Sequence, residues 1–199
     1  ENMDEKGETT SGIAQRYNAV AAINAGGFYD ANGTGTGRSP YGFIVHDGKF
    51  ILGGNTADSE VNEFIGFTKD GNLVAGNYSK GEIISMDIQE GITFGPPLIV
   101  NGQKMITVGD GGWGVGPRTA IGQRKDGTVL FLVIDGRQPS YSIGATLRDL
   151  QNIMYEQGAY IAANLDGGSS STLYLNGKVV NKPADLLGER MIPTAFIVK

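Results

Sequence analysis

Ala162-Ala163-Asn164-Leu165-Asp166-Gly167-Gly168-Ser169-Ser170-Ser171-Thr172 is the stretch on which the reading of this chain turns. With the preceding Ala159-Tyr160-Ile161 it reads as a buried strand that ends in a carboxylate, two glycines and four consecutive hydroxyl side chains. Glycine admits positive φ and lets a ligand come close to the main chain. Turned backbone N–H groups beside Ser and Thr hold anions or sugar hydroxyls. An Asp at the mouth of such a turn serves as acid, base or metal ligand. A plain turn explains Gly167 and Gly168, with hydroxyls bonding their own backbone. Four hydroxyls after an Asp favour a ligand, because polar groups packed at a strand end are costly unless they meet one or each other.

The same logic appears earlier in the chain. Ser11 caps a short helix through Tyr17, and Asn18 stops it. The apolar run Ala19-Val20-Ala21-Ala22-Ile23 follows and ends in Asn24-Ala25-Gly26-Gly27-Phe28. Residues 1–9 are polar and without periodicity, which reads as a disordered or truncated N-terminal segment ahead of a domain at 10–199. Gly33-Thr34-Gly35-Thr36-Gly37-Arg38 is no dinucleotide loop, since no helix pattern follows and Pro40 intervenes; it reads as a flexible loop able to close over a site.

Asp-Gly or Asn-Gly between apolar runs is the strongest short hairpin signal. It occurs five times, at Asp47-Gly48, Asp70-Gly71, Asn101-Gly102, Asp126-Gly127 and Asn176-Gly177. Residues 83–88 alternate and suggest one more strand. The continuous apolar run over 128–134 predicts a central strand buried on both faces, delivering Asp135-Gly136-Arg137. One longer helix starts at Thr146, with Asp149 completing a capping box. Leu147, Leu150 and Met154 mark its buried face, and Gly158 ends it. The expected fold is α+β: a single domain, an antiparallel-rich mixed sheet with several hairpins, and one or two packed helices.

Composition narrows the chemistry. The chain has 199 residues and 32 glycines with no collagen period, so the glycines mark turns. Net charge is −5 and the basic residues are scattered, which excludes a nucleic-acid footprint. No apolar run approaches the roughly 18 residues of a membrane span. Cysteine is absent, which removes thiol nucleophiles and thiolate metal sites. The single histidine, His46, sits at a turn signal, so a serine triad or a His-rich zinc site is discounted. The glycine-rich loop Asp110-Gly111-Gly112-Trp113-Gly114-Val115-Gly116-Pro117 holds the one Trp, suited either to a sugar face or to partial burial under the loop.

Asn24, Asp135 with Arg137, and Asp166 all end apolar strands, and Arg118 begins one. Brought to one edge, they form a pocket with two carboxylates and up to three arginines. Arg suits phosphate, and paired carboxylates suit glycosidic cleavage. At this point the chain resembles the phosphodiester glycosidase family. The resemblance rests on Asn24-Ala25-Gly26-Gly27-Phe28, Pro117-Arg118-Thr119-Ala120-Ile121-Gly122, Val133-Ile134-Asp135-Gly136-Arg137, Asn164 through Thr172, and Arg190 before a closing strand at 194–198. Ser169 stands where many members carry glycine.

The resemblance implies a hydrolase that cleaves a sugar-1-phosphodiester of the N-acetylglucosamine type at the anomeric carbon, in bacterial cell-envelope or exopolysaccharide glycans. Asp166 and Asp135 are its expected catalytic carboxylates. Arg118, Arg137 and Arg190 are expected on phosphate. Asn24, Gly26, Gly27, Phe28, Thr119, Gly167, Gly168, Ser169, Ser170, Ser171 and Thr172 are expected to line the substrate. Neighbouring arginines are expected to keep Asp166 ionised. No cofactor is required, and a single Ca2+ or Mg2+ on oxygen ligands is compatible with the residues. The resemblance also implies a carbohydrate-phosphate substrate, no nucleic-acid partner, an extracytoplasmic location, and an upstream strand or membrane anchor. The rival readings are a non-catalytic envelope-glycan-binding module and a metal-dependent phosphodiesterase built on Asp110, Asp135 and Asp166.

Overall fold

In the computed structural model the described residues are 6–30 and 35–199. The first helix, α1 (Thr10–Arg16), is capped by Thr9, whose hydroxyl accepts from the Gly12 N–H. The expected cap, Ser11, instead turns its N–H and hydroxyl onto the Glu189 carboxylate. Asn18 ends the helix with φ of 53°. Of the expected frayed segment, residues 1–5 lie outside the described residues. Gly7 and Glu8 are tied down: the Gly7 N–H donates to Thr36, and Glu8 exchanges two backbone bonds with Ile192.

The strands divide among three sheets. One holds, in spatial order, β13 (Lys178–Val179), β12 (Leu173–Leu175), β1 (Ala21–Asn24) and β14 (Ala195–Val198). The second holds β10 (Val129–Ile134), β9 (Arg118–Gln123), β11 (Ile161–Leu165), β7 (Pro97–Val100) and β8 (Gln103–Lys104). The third holds β3 (Lys49–Leu52), β2 (Ile44–His46), β6 (Ile88–Thr93), β4 (Val61–Thr68) and β5 (Leu73–Ser79). Every ladder between these strands is antiparallel. All five turn signals close hairpins. At Asp47-Gly48, Asn101-Gly102 and Asn176-Gly177 both central residues take positive φ, the geometry that follows the twist of the flanking strands.

Two expectations are corrected. Residues 83–85 belong to a helix, α2 (Lys80–Ser85), and the strand begins only at Ile88. Ser79 and Glu82 form a capping box there, and reciprocal satisfaction of two free N–H donors outweighs the alternating pattern. The run over 128–134 forms β10, an edge strand of the second sheet, with every residue of it intermediate or exposed. Its side chains border two clusters, Phe131 and Val133 on the shared core and Leu130, Leu132 and Ile134 on the α3 side, with one strand edge left unpaired.

Each sheet carries one helix on its outer face. α1 packs with Ala19, Ala22 and Tyr174; α2 places Ile83 among Phe43, Val45, Phe64 and Ile88; α3 (Leu147–Glu156) packs Leu147, Leu150 and Met154 on Leu98, Ala120 and Ala162. The inner faces meet in one core that joins Ile23 and Ala25, Ile121, Ala163 and Leu165, and Ile65, Leu73, Ile92 and Phe94. Strand alternation divides neighbours between the two sides: Ala120 and Ala162 face α3, while Ile121 and Ala163 face the shared core. Among the described residues, no helix is long and apolar enough to cross a membrane.

Candidate functional site

Register brings the strand ends together. Arg118 of β9 pairs with Ile134 of β10, and Thr119 pairs with Leu165 of β11. The residues after Ile134 and after Leu165 therefore emerge at one edge. β1 of the neighbouring sheet abuts the same edge, because the Asp166 N–H donates to the Ala25 carbonyl at 2.9 Å. The cleft at this edge, about 430 Å³, is lined by Trp113, Arg118, Arg137, Asp166, Gly167, Gly168, Ser169 and Arg190.

Asp166 is the one carboxylate among those lining residues. Burial pushes its pKa up from the ordinary carboxylate value of 3.8 to about 6. The Ser170 hydroxyl and the Gly167 N–H pull the other way, less strongly. Ser170 Oγ is buried and makes no full hydrogen bond of its own. The expectation that neighbouring arginines keep Asp166 ionised is corrected in its cause: burial is the leading influence, and with a pKa of about 6 the carboxyl is still mostly ionised at neutral pH.

The three arginines are held differently. Arg118 is 6% exposed; its Nε donates to Ala145 O at 3.0 Å, and its Nη2 donates to Trp113 O and Gly114 O at 3.1 and 2.5 Å. It therefore ties down the Trp113 loop as well as facing the cleft. Burial, and then the charge of Arg137, lower its pKa. Arg137 stands in the left-handed region at φ 57°, an uncommon conformation for a side chain with a Cβ. This carries its guanidinium across Gly168 and to 3.4 Å from Ser169 Oγ. Gly168, at φ 60°, has no room for a side chain without moving that guanidinium, since a Cβ would lie 3.1 Å from Arg137 Nη2. Arg190 is bonded to Asp30 and lies over the Phe28 ring at 5.3 Å, while its Nε is buried without a partner.

Several expected contact residues are structural instead. Asn24 is fully buried: its Nδ2 donates to Asp166 O at 2.5 Å, and its Oδ1 accepts from Thr119 Oγ1 and the Thr172 N–H at 2.9 and 3.1 Å. Thr119 Oγ1 also meets Ser171 Oγ at 3.2 Å. Asn24, Thr119, Ser171 and the Thr172 N–H thus form a buried polar staple beneath the Asp166 turn. Gly26 donates to Thr194 Oγ1, and Gly27 lies so close to Tyr41 and Phe94 that a Cβ would reach within 2.2 Å of the Tyr41 hydroxyl. Phe28 supports Arg190.

Asp135 is likewise corrected. Its carboxylate accepts from Asn181 Nδ2 at 2.9 Å, from the Lys182 N–H at 3.1 and 3.0 Å, and from the Tyr141 hydroxyl at 3.2 Å. Asn181 in turn donates to Ser171 O. Asp135 anchors the segment that follows β13 and does not line the cleft. The site therefore combines one carboxylate with three arginines. Asp110, Asp135 and Asp166 form no ligand cluster; among the described residues the ligand-spaced group is the exposed His46 and Asp47 at the β2–β3 turn with the half-buried Glu90 of β6. The loop at 33–38 falls partly outside the described residues. Its described part is tied to Gly7 and packed on Met191 and Ile192.

Two aromatics stand at or near the cleft. Trp113, half-exposed, stands edge-on to Phe94 at 6.0 Å. Tyr41, unmarked in the sequence, has its pKa raised by burial and next by the charge of Asp166.

A half-buried carboxylate of raised pKa thus shares one cleft with three arginines and a half-exposed Trp, groups suited to proton transfer and to holding an anion. The sequence profile of the phosphodiester glycosidase family matches residues 17–199, and the chain belongs to that family. It is 32% identical over 197 residues to the SPbeta prophage-derived uncharacterized protein YomE of Bacillus subtilis, covering 96% of this chain and 29% of that protein. It is 28% identical over 167 residues to N-acetylglucosamine-1-phosphodiester alpha-N-acetylglucosaminidase of Bos taurus, covering 72% and 31%. The chain thus spans under a third of the length of these curated relatives. Among solved structures, the catalytic domain of the zebrafish N-acetylglucosamine-1-phosphodiester alpha-N-acetylglucosaminidase, auto-inhibited by its pro-peptide, superposes with a TM-score of 0.82 at 25% identity, over 98% of this chain and 68% of that one. A hypothetical protein from Synechocystis shares the fold, with a TM-score of 0.68 at 17% identity, over 98% and 55%.

Proposed function

We propose that the chain hydrolyses a sugar-1-phosphodiester, N-acetylglucosamine-1-phosphodiester-like, at the anomeric carbon. The observation that carries this reading is Asp166: a lone carboxylate with a pKa of about 6 on the floor of a cleft lined by Arg118, Arg137 and Arg190. At neutral pH such a group is mostly ionised yet holds a proton better than an ordinary carboxylate, which suits a general base. Asp166 takes a proton from a water molecule as its oxygen attacks C1. The C1–O bond breaks, and its electron pair leaves with the phosphate monoester. The guanidiniums neutralise the charge on that leaving group, so no strong general acid is needed. A single acidic residue then suffices, in keeping with Asp135 being engaged elsewhere. Trp113 offers its exposed ring to the sugar.

The substrate setting belongs to the same proposal: glycans of the bacterial envelope or exopolysaccharide, outside the cytoplasm. No metal takes part in this reading. Its test is Asp166→Asn, assayed with a chromogenic sugar-1-phosphodiester. Turnover should fall by a factor of at least ~10², with ligand binding still visible by calorimetry. A variant that keeps parental turnover removes Asp166 from the chemistry. A parent that binds the diester without cleaving it makes the chain a glycan-binding module. Turnover lost to a chelator and restored by Ca2+ or Mg2+ replaces this mechanism with a metal-dependent one.

A further inference from the structure

Three loops surround the cleft, and hydrogen bonds and a cation–π contact join them. Residues 110–117 and 137–145 exchange two backbone bonds between Gly116 and Ala145. Residues 137–145 meet the segment after β13 through Gln138 Nε2 to Lys182 O at 2.9 Å, and through Lys182 Nζ lying 4.0 Å over the Tyr141 ring. That segment runs on to Arg190, which lines the cleft. All three loops point large apolar side chains at solvent: Trp113, Val115, Tyr141, Ile143, Leu186 and Leu187.

Leu186 and Leu187 are the extreme case, 102% and 95% exposed. They form the tip of a closed turn. The Leu187 N–H donates to Asp185 Oδ1 at 3.0 Å, the Gly188 N–H donates to Asp185 O at 3.1 Å, and Gly188 takes φ of 99°. Two adjacent leucines held in solvent by a closed turn gain free energy only when something apolar covers them.

We propose that this rim seats the cleft on a phospholipid bilayer, and that the phosphodiester it cleaves is presented at that surface. The inference rests on the hydrolase reading above and adds the substrate's physical setting. Three features select a bilayer as the occupant. The turn satisfies its own N–H groups at Leu187 and Gly188, so its tip enters hydrocarbon without stranding those donors. A projecting point suits an interfacial wedge, whereas a stable protein partner needs a face of about 800 Å² per side. The Tyr141–Lys182 pair at its base is an aromatic ring with a long cationic side chain, which suits the headgroup level. The guanidiniums of Arg118, Arg137 and Arg190 then lie beside phosphodiester headgroups, the anions they complement. Two leucines give weak, reversible attachment, well short of an anchor. The net charge of −5 opposes general adsorption to an anionic surface, so attachment depends on the tip.

The only Trp of the chain, Trp113, stands in this rim and reports on it directly. Titrating the protein with phosphatidylcholine vesicles containing phosphatidylglycerol should shift Trp113 emission to the blue. The double variant Leu186→Ser, Leu187→Ser should weaken that partitioning about tenfold or more, while cleaving a water-soluble sugar-1-phosphodiester at the parental rate. Parental protein whose emission never moves with vesicles overturns the proposal, and so does a double variant that partitions like the parent. The two readings fail separately. Cleavage of the soluble diester without any vesicle-induced shift sinks the bilayer inference alone. A vesicle-induced shift in a protein that never cleaves the diester sinks the catalytic reading alone.

Discussion

Asp166 links stability and activity with opposite signs. Its folded-state pKa of about 6 lies above the ordinary 3.8, so between these values the native state binds more protons than the unfolded chain. Stability therefore falls as pH rises through that window, and the whole cost is present above the upper value. Asp166→Asn should raise stability near pH 8 by at most ~3 kcal/mol, and should give no gain near pH 4, where the parent carboxyl is already neutral. Denaturant melts at the two pH values check this. For the proposed hydrolysis, kcat/KM should climb with pH along a limb whose apparent pKa is about 6; a flat profile across that range excludes Asp166 as the base. Arg137 stores strain in its left-handed backbone. Arg137→Gly should release up to ~1 kcal/mol while lowering turnover of the diester, whereas Arg137→Ala should lose turnover without the gain. Asn24→Ala strips partners from Asp166 O, Thr119 Oγ1 and the Thr172 N–H together. It should cost about 3 kcal/mol or more, and activity should fall with the fold.

Turn chemistry made the hairpins legible in the sequence, because Asp-Gly and Asn-Gly specify local backbone geometry whatever lies around them. The capping box of α3 was legible for the same reason. α2 was missed although its Ser79 and Glu82 stand at the same spacing, because an alternating run drew the reading away from a six-residue helix. Ser79→Ala should cost about 1 kcal/mol and leave diester hydrolysis intact, as α2 packs on the third sheet, away from the cleft. β10 shows the converse limit. A continuous apolar run marks a strand, but its place at an edge is set by which strands pair, and that is a property of the whole sheet. Asn24 and Asp135 were found as strand-end polar residues, and they do sit at the right edge. Whether such a group faces ligand or protein depends on partners such as Asn181, which no local pattern reveals. Tyr41 carried no signal, since a single Tyr after Pro40 is unremarkable until the fold brings it beside Asp166.

At the scale of the molecule, three helix-backed sheets share one core, and the cleft lies where two of them meet. The position of Asp166 is thus fixed by the packing of rigid sheets, while Trp113, Arg137 and Arg190 are carried by loops. Loops on a rigid scaffold change readily without loss of fold. This fits a fold shared with the Synechocystis protein at 17% identity.

The staple through Asn24 also sets when the cleft can form. Asn24 and Asp166 are 142 residues apart, and β1 has β12 on one side and β14 on the other. During synthesis β1 leaves the ribosome before β12 and β14, and has no sheet to join until they follow. A complete cleft is then an all-or-none product of that assembly, and pairing over such separations is intrinsically slow. A nascent chain halted before Thr172 would carry Asp166 and all the arginines but Arg190, and would still have no cleft in which to use them.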